Sequence, residues 1–362
     1  MTTKAVSCES VSKVLGLWHN ALIRNQLNEA IQYKDDVENI IMDMEQDQTI
    51  LLYYSLLVLR HNLLTNNAET PNQYLKSIKP FEEKMGSLLT YYYHLFTGMH
   101  KSAERRYGEA LDHYTAAEEK LIDIPDDMEK GEFHYRVASV YYHIRQTMLA
   151  YKHVKQAKAI FDTDKDYGKK SADCDNLLGL CYILNKNFGL AEKHLRQAFE
   201  TAELFKDEEL KLHIYYNLGF LYAEKKEPDH AIDYLNKVHA AGFNKVRTPF
   251  LLAREYFKIA KSDKAFEMID KGLKVCEETN NVEYRHHYSI LRAFNDGSSD
   301  DEIESAVKEG MTYFKKHRLN GYVNDYSSQL AYYFCERENH EKASRYFRSA
   351  YESRETEGLF IS

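Results

Sequence analysis

The stretch YYNLGFLYAEKKEPDHAIDYLNKV, residues 215–238, decides the fold. Gly219 is followed by Tyr222 three positions on, then by Ala231, Leu235 and Val238. Read as two helices, this spacing puts a small residue of the first beside a small residue of the second. The helices can then approach closely, while Tyr222 and Leu235 fill the space toward neighbouring pairs. Working outward, the pattern recurs. Ala138, Tyr141, Ala150, Val154 and Ala157 carry it, as do Gly179, Tyr182, Ala191, Leu195 and Ala198. So do Ala253, Tyr256, Ala265, Ile269 and Gly272, and near the end Ala331, Phe334, Ala343, Phe347 and Ala350. Gly98, Ala110, Tyr114 and Ala117 open the series, with Lys101 at the aromatic position. A degenerate unit lies at about 284–318, with Asp296–Asp301 as its interhelix loop.

This is the tetratricopeptide pattern, at a period of roughly 40 rather than the usual 34 residues. The extra residues are expected at Asp162–Lys170 and Phe205–Glu209. The fold class is all-α: an N-terminal three-helix bundle followed by a right-handed tetratricopeptide-repeat superhelix. Residues 1–66 do not fit the repeat and read as amphipathic helices at about 10–24, 27–45 and 48–66. Residues 67–80, with two Pro and several turn formers, read as a linker. The repeat domain is then 81–362, with about seven repeats.

Composition agrees. The 362 residues include only 15 Gly and 5 Pro, too few for a turn-rich β fold, while 29 Tyr and 17 Phe supply core volume. The net charge of −8 argues against binding nucleic acid through its phosphates. Over residues 1–70 there are five Lys and Arg against nine Asp and Glu. The five cysteines are odd in number and widely spaced, which suits a reducing cytoplasm. The N-terminus carries no apolar signal segment, and the uncharged stretch Ser87–His100 is too short for a membrane helix. A cytoplasmic protein, with neither membrane nor direct nucleic-acid contact, is expected.

The usual enzyme motifs are missing from the sequence. There is no phosphate-binding glycine loop, no HExxH, no CxxC and no nucleophile elbow. Cys174 and Cys181 read as buried core thiols, and His286–His287 lacks a third ligand at metal spacing. No cofactor or metal is expected. The Lys and Asn clamp by which some repeat domains grip chaperone tails is absent, since Leu95 and Met99 occupy its places.

The segment Met44–Leu64, MEQDQTILLYYSLLVLRHNLL, has no counterpart in an ordinary repeat. Its Met44, Glu45, Asp47 and Gln48, then Tyr53–Leu56 and Arg60–Leu63, resemble the Rap family, the response-regulator aspartate phosphatases of spore-forming bacteria. Length, bundle, linker and long-period repeats agree with that resemblance over essentially the whole chain. It implies a peptide-regulated inhibitor of response regulators, which dephosphorylates an aspartyl phosphate or sequesters a competence transcription factor. Gln48 matches the catalytic Gln, with Asp47 in support and Gln46 as a competitor in register. An amide suits this task, because its carbonyl accepts from the attacking water while its NH₂ donates to a phosphate oxygen. Any Mg ion comes from the phosphorylated regulator. Without the resemblance, Gln48 reads as a solvated residue at a helix start with Asp47 as N-cap. Leu51 and Leu59 are expected to contact the target, Leu59 standing where the family has Phe. Arg60 and His61 read as structural or target-facing, and Tyr53 and Tyr54 as core or domain contacts.

The resemblance further implies a short secreted peptide in the repeat groove. Asn217 matches a family Asn that pairs with the peptide backbone. Tyr182, Tyr256 and Tyr326 are further inward candidates, with core packing as the alternative for the first two. Cys181 and Leu184 stand where the family often has an Asn and an Asp, so either a different peptide or no peptide response is implied. The linker at 67–80 is the expected hinge. The alternatives are a purely non-catalytic anti-activator that blocks DNA binding by a response regulator, a peptide-sensing transcription regulator, and a generic scaffold.

Overall fold

The computed structural model describes residues 6–65 and 71–358. The expected helices of the N-terminal segment are present as α1 (Cys8–Ile23), α2 (Leu27–Ile41) and α3 (Gln48–Leu64), followed by α4 (Pro71–Ile78). Of the expected linker, residues 67–70 lie outside the described residues. The rest is helical, because Pro71 is tolerated in the first turn, and α4 packs on α3 with Ile78 buried.

Among the described residues seven helix pairs follow: α5 (Ser87–Ala103) with α6 (Tyr107–Glu118), α7 (Asp127–His143) with α8 (Thr147–Phe161), α9 (Gly168–Leu184) with α10 (Phe188–Leu204), and α11 (Glu208–Glu224) with α12 (Pro228–Ala240). They continue with α13 (Arg247–Lys258) and α14 (Ser262–Glu278), α15 (Val282–Ala293) and α16 (Asp300–Lys316), and α17 (Asn320–Glu336) and α18 (His340–Gly358). The fold is all-α; among the described residues no strand forms, and one isolated bridge joins Val6 to Met44. The degenerate unit is a full pair, α15 and α16, whose second helix starts with a capping box of Ser299 and Glu302.

The small positions work as the spacing requires. A Cβ on Gly219 would lie 2.6 Å from Leu235 Cγ, and one on Gly179 would lie 2.7 Å from Leu195 Cγ. Both leucines are fully buried. Glycine at these places is therefore a condition of helix approach.

The chain divides into two compact units. The first comprises residues 1–140 and 153–171, the second residues 141–152 and 172–362. In the first, α1, α3 and α7 share a buried ionic cluster. Arg60 Nη1 donates to His19 Nε2 at 2.8 Å, and His19 Nδ1 meets the Tyr53 hydroxyl at 2.8 Å. Glu129 lies 2.9 Å from His19 and 3.9 Å from Arg60. Glu132, fully buried, receives Arg136 at 2.8 Å, Lys170 at 3.1 Å and Arg60 at 3.5 Å. Burial alone would raise the Glu132 pKa, but the Arg136, Lys170 and Arg60 cations together hold it well below the ordinary carboxylate range.

Candidate functional site

Within the first unit, the candidate surface is the start of α3. Asp47 is extended and caps the helix, its Oδ1 accepting from Thr49 N at 2.8 Å and Ile50 N at 3.1 Å. These bonds satisfy amides that the helix itself leaves unpaired. Gln48 is the first helical residue and is exposed. Leu51, one turn on and 37% exposed, shares its face. Gln46 is exposed but precedes the cap, so the helix does not fix it.

From Leu56 onward α3 becomes core. Leu56 to Asn62 are all buried, Leu59 completely so. This corrects the expectation that Leu59 contacts a target: it fills the interior, and no smaller contact surface results from its replacing a Phe. Arg60 and His61 are structural rather than target-facing. Arg60 belongs to the ionic cluster, and His61 Nδ1 accepts from the buried Trp18 indole at 3.2 Å. Burial pushes the His61 pKa down. Tyr54 donates to Glu38 on α2 at 3.1 Å, and Tyr53 bonds His19, which makes both of them internal braces.

In the second unit, Asn217 on α11 is buried and donates its amide to Asn176 Oδ1 on α9 at 2.7 Å. Two first helices of successive pairs thus present paired amides. Tyr326 on α17 bonds His287 Nδ1 at 2.6 Å and stacks on Phe314. Tyr182 and Tyr256 turn elsewhere. Tyr182 stacks on His194 of α10 and donates to Tyr151 of α8 at 3.4 Å. Tyr256 reaches Asn236 of α12 at 3.5 Å. Their partners lie on second helices, the contact that the repeat's aromatic position serves; Tyr256 is buried in the core, which corrects its inward assignment to core packing, while Tyr182 stays partly exposed. Cys181 is buried, and burial pushes its thiol up to about 12.

The sequence reading missed a set on first helices and their turns: Tyr142, Arg145, Tyr216, Tyr284 and Tyr322. Arg145 pairs with Asp325 at 2.9 Å and lies 5.1 Å from the centre of the Tyr322 ring. Burial pushes the Tyr142 pKa up to about 12, against the opposing fields of Arg145 and Arg247. The only available signal was adjacency: Tyr216 precedes Asn217, and Tyr322 stands one turn before Tyr326.

Among the described residues no group of three or more His, Cys, Asp or Glu is gathered as a metal site. No described helix is long and apolar enough to cross a membrane.

Comparison with known proteins gives a consistent result. The model of the response regulator aspartate phosphatase H N-terminal domain matches residues 5–66, and a tetratricopeptide-repeat model matches residues 170–241. Response regulator aspartate phosphatase H of Bacillus subtilis is 27% identical, over 98% of this chain and 97% of that protein. Regulatory protein RapK of the same organism is 29% identical, over 79% of this chain and 80% of its own length. The crystal structure of a Rap protein complexed with Competence and Sporulation Factor is similar at a TM-score of 0.87. It is 26% identical, with 97% of this chain and 99% of that chain covered.

Proposed function

Because the chain belongs to the Rap family, we propose that it is a peptide-regulated inhibitor of a bacterial response regulator, acting as an aspartyl-phosphate phosphatase through Gln48. The observation that carries this reading is the capped, exposed first turn of α3, where Gln48 and Leu51 share one face. An acyl phosphate is already reactive, and the regulator supplies its own metal ion. The phosphatase then contributes orientation: the Gln48 carbonyl accepts from a water in line with the phosphorus, and its NH₂ steadies a phosphoryl oxygen. Asp47 acts on this step as a positioning residue, by fixing the turn.

The signalling peptide lies along the first helices of the repeats, where Asn217 exchanges its bond to Asn176 for a bond to the peptide backbone. Binding acts by favouring one arrangement of the chain over another. Relatives named for response-regulator phosphatase activity, and a Rap structure holding a peptide, support both halves of this proposal.

The test is phosphate release from a panel of phosphorylated response regulators, with wild type and Gln48→Ala side by side. The proposal expects faster release with wild type, and a drop of two orders of magnitude or more in the variant. Equal acceleration by both proteins would remove Gln48 from the mechanism. If neither accelerates release while unphosphorylated regulators are still captured, the protein is a non-catalytic anti-activator.

A further inference from the structure

Two pairs of imidazoles in the first unit face each other in the same way. His94 on α5 meets His113 on α6, Nδ1 to Nδ1, at 3.0 Å. His134 on α7 meets His153 on α8, again Nδ1 to Nδ1, at 3.0 Å. The members of each pair are 19 positions apart in sequence. Their ring centres lie 5.3 and 5.2 Å apart, at interplanar angles of 38° and 45°. All four residues are partly exposed, so solvent reaches both pairs.

Packing does not call for imidazoles at this place in a helix pair. The same register holds Asp175 and His194 in α9 and α10, which meet at 2.8 Å. In α11 and α12 it holds Tyr215 and Tyr234, with ring centres 5.9 Å apart. What sets the first two pairs apart is a pair of nitrogen donors at a common distance. An imidazole nitrogen binds a first-row metal ion at about 2.0–2.1 Å, so two of them stand about 2.9 Å apart in cis positions and about 3.3 Å apart in a tetrahedral set. The observed 3.0 Å falls between these values. A hydrogen bond between two neutral imidazoles puts one Nδ1 proton between the rings; an ion takes its place when that proton moves to Nε2 of the same ring.

The surroundings of the first pair favour a cation. Glu82 Oε1 stands 3.6 Å from His94 Nε2, the nitrogen that does not face His113. A carboxylate behind the far nitrogen is the usual outer partner of a metal-bound histidine. Glu119, Asp112 and Glu109 also act on the pair, against Lys101 and Lys120, so carboxylates outnumber ammonium groups there.

We propose that each pair is a two-histidine site for a divalent first-row transition ion. Cis nitrogen donors with open positions suit the tetragonal preference of Ni²⁺ and Cu²⁺. Among the described residues no group of three or more His, Cys, Asp or Glu forms a metal site, so water completes the shell and the ion is exchangeable. It ties the first helix of a pair to the second, α5 to α6 and α7 to α8. Because α3 packs on α5, occupancy stabilises the unit that carries Gln48. The inference does not depend on the phosphatase reading.

The test is titration calorimetry of the full untagged chain with NiCl₂, with MgCl₂ as a separate arm. Two equivalents of Ni²⁺ are expected, bound at least tenfold more tightly than Mg²⁺. His113→Gln should lose one equivalent, His153→Gln the other and the double variant both, all with wild-type helical circular dichroism. Ni²⁺ should raise the unfolding midpoint of wild type and leave that of the double variant unchanged. Electron paramagnetic resonance of wild type with Cu²⁺ should show two nitrogen ligands per ion, a readout that needs no variant to fold. Equal binding of Mg²⁺ would assign the ions to surface carboxylates and overturn the proposal. No saturable Ni²⁺ binding, Cu²⁺ without paired nitrogen ligands, or two equivalents retained in a folded double variant would overturn it as well. A single equivalent, lost in only one of the variants, would overturn it for the other pair.

Discussion

Replacing Asp47 by Ala tests how the candidate catalytic turn is held. The two bonds from Thr49 N and Ile50 N to one carboxylate oxygen are charge-assisted. Loss of an N-cap costs about 1 kcal/mol, within a range of roughly 0.5–2. Removing a negative charge from a helix N-terminus adds about 0.3–1 kcal/mol. A local cost of about 1.5 kcal/mol corresponds to an opening equilibrium about twelve times larger. Hydrogen exchange read at single residues is the assay. Thr49, Ile50 and Leu51, whose N–H groups are bound by Asp47 side-chain or backbone oxygens, should exchange about tenfold faster in Asp47→Ala. Amides after Leu56, in the buried part of α3, should not change. Asp47→Ser keeps the acceptor and loses the charge, so it should recover most of the protection. Phosphate release should follow the same order: wild type, then Ser, then Ala. If Ser behaves as Ala does, charge rather than capping is what Asp47 supplies. If Ala leaves all three amides within twofold of wild type, the cap does not hold this turn.

Three more predictions concern stability. Gly219→Ala drives a Cβ to 2.6 Å from the buried Leu235 and should cost about 1–3 kcal/mol in thermal unfolding. Gly16→Ala, which meets nothing within 4 Å inside α1, should instead gain about 0.5–1 kcal/mol; equal effects would refute the close-approach argument. Leu59→Phe should cost about 1–3 kcal/mol in denaturant unfolding, because a fully buried site must accept a larger side chain; an unchanged midpoint would mean the core has room there. His113 meets His94 at 3.0 Å, and burial, then the His94 charge, lowers its pKa to about 4. A depressed folded pKa gives stability that is complete above the unfolded value near 6.5 and is lost as pH falls toward 4. After allowance for partial exposure the effect is about 1 kcal/mol. A melting series from pH 7 to 5 should fall less steeply in His113→Gln than in wild type, and parallel slopes would exclude His113 as the source.

The repeat architecture was readable because packing repeats. Every helix pair needs a small residue where the pair crosses and a large one beside it, so Gly179 with Leu195 and Gly219 with Leu235 recur at one spacing. The same logic explains why Tyr182 and Tyr256 meet second helices. A position that recurs in unit after unit serves what all units share, which is contact with the neighbouring second helix. Tyr142, Tyr216 and Tyr322 occupy no defining position of the pattern and were invisible to it. Asn217 was singled out by its resemblance to a family residue; the residue it bonds, Asn176, 41 positions earlier, had no such signal. At the other site the sequence displayed the cap, because Asp before a helical run has a local meaning. It did not display that α3 is partly exposed as far as Ser55 and buried on every side from Leu56 to Asn62, although the unbroken apolar run Leu56–Leu59 is what a helix buried on all sides requires.

The ionic cluster was hidden for a different reason. Arg60 and Glu132 are 72 positions apart, and nothing local marks a charge that will be buried. Its burial depends on partners that other helices deliver. Energetically the cluster is a poor source of net stability, since desolvation of Arg60, Glu129 and Glu132 offsets most of their attraction. It is a strong source of specificity. Moving α3 away from α7 would strand two carboxylates and a guanidinium in an apolar interior, and single substitutions do the same. Arg60→Met alone leaves Glu129 and Glu132 short of a cation and should be far more damaging than the triple replacement of Arg60, Glu129 and Glu132 by apolar residues of similar size. That ordering separates a cluster that specifies an arrangement from one that merely adds stability. In the latter case the triple variant would be the least stable of the set.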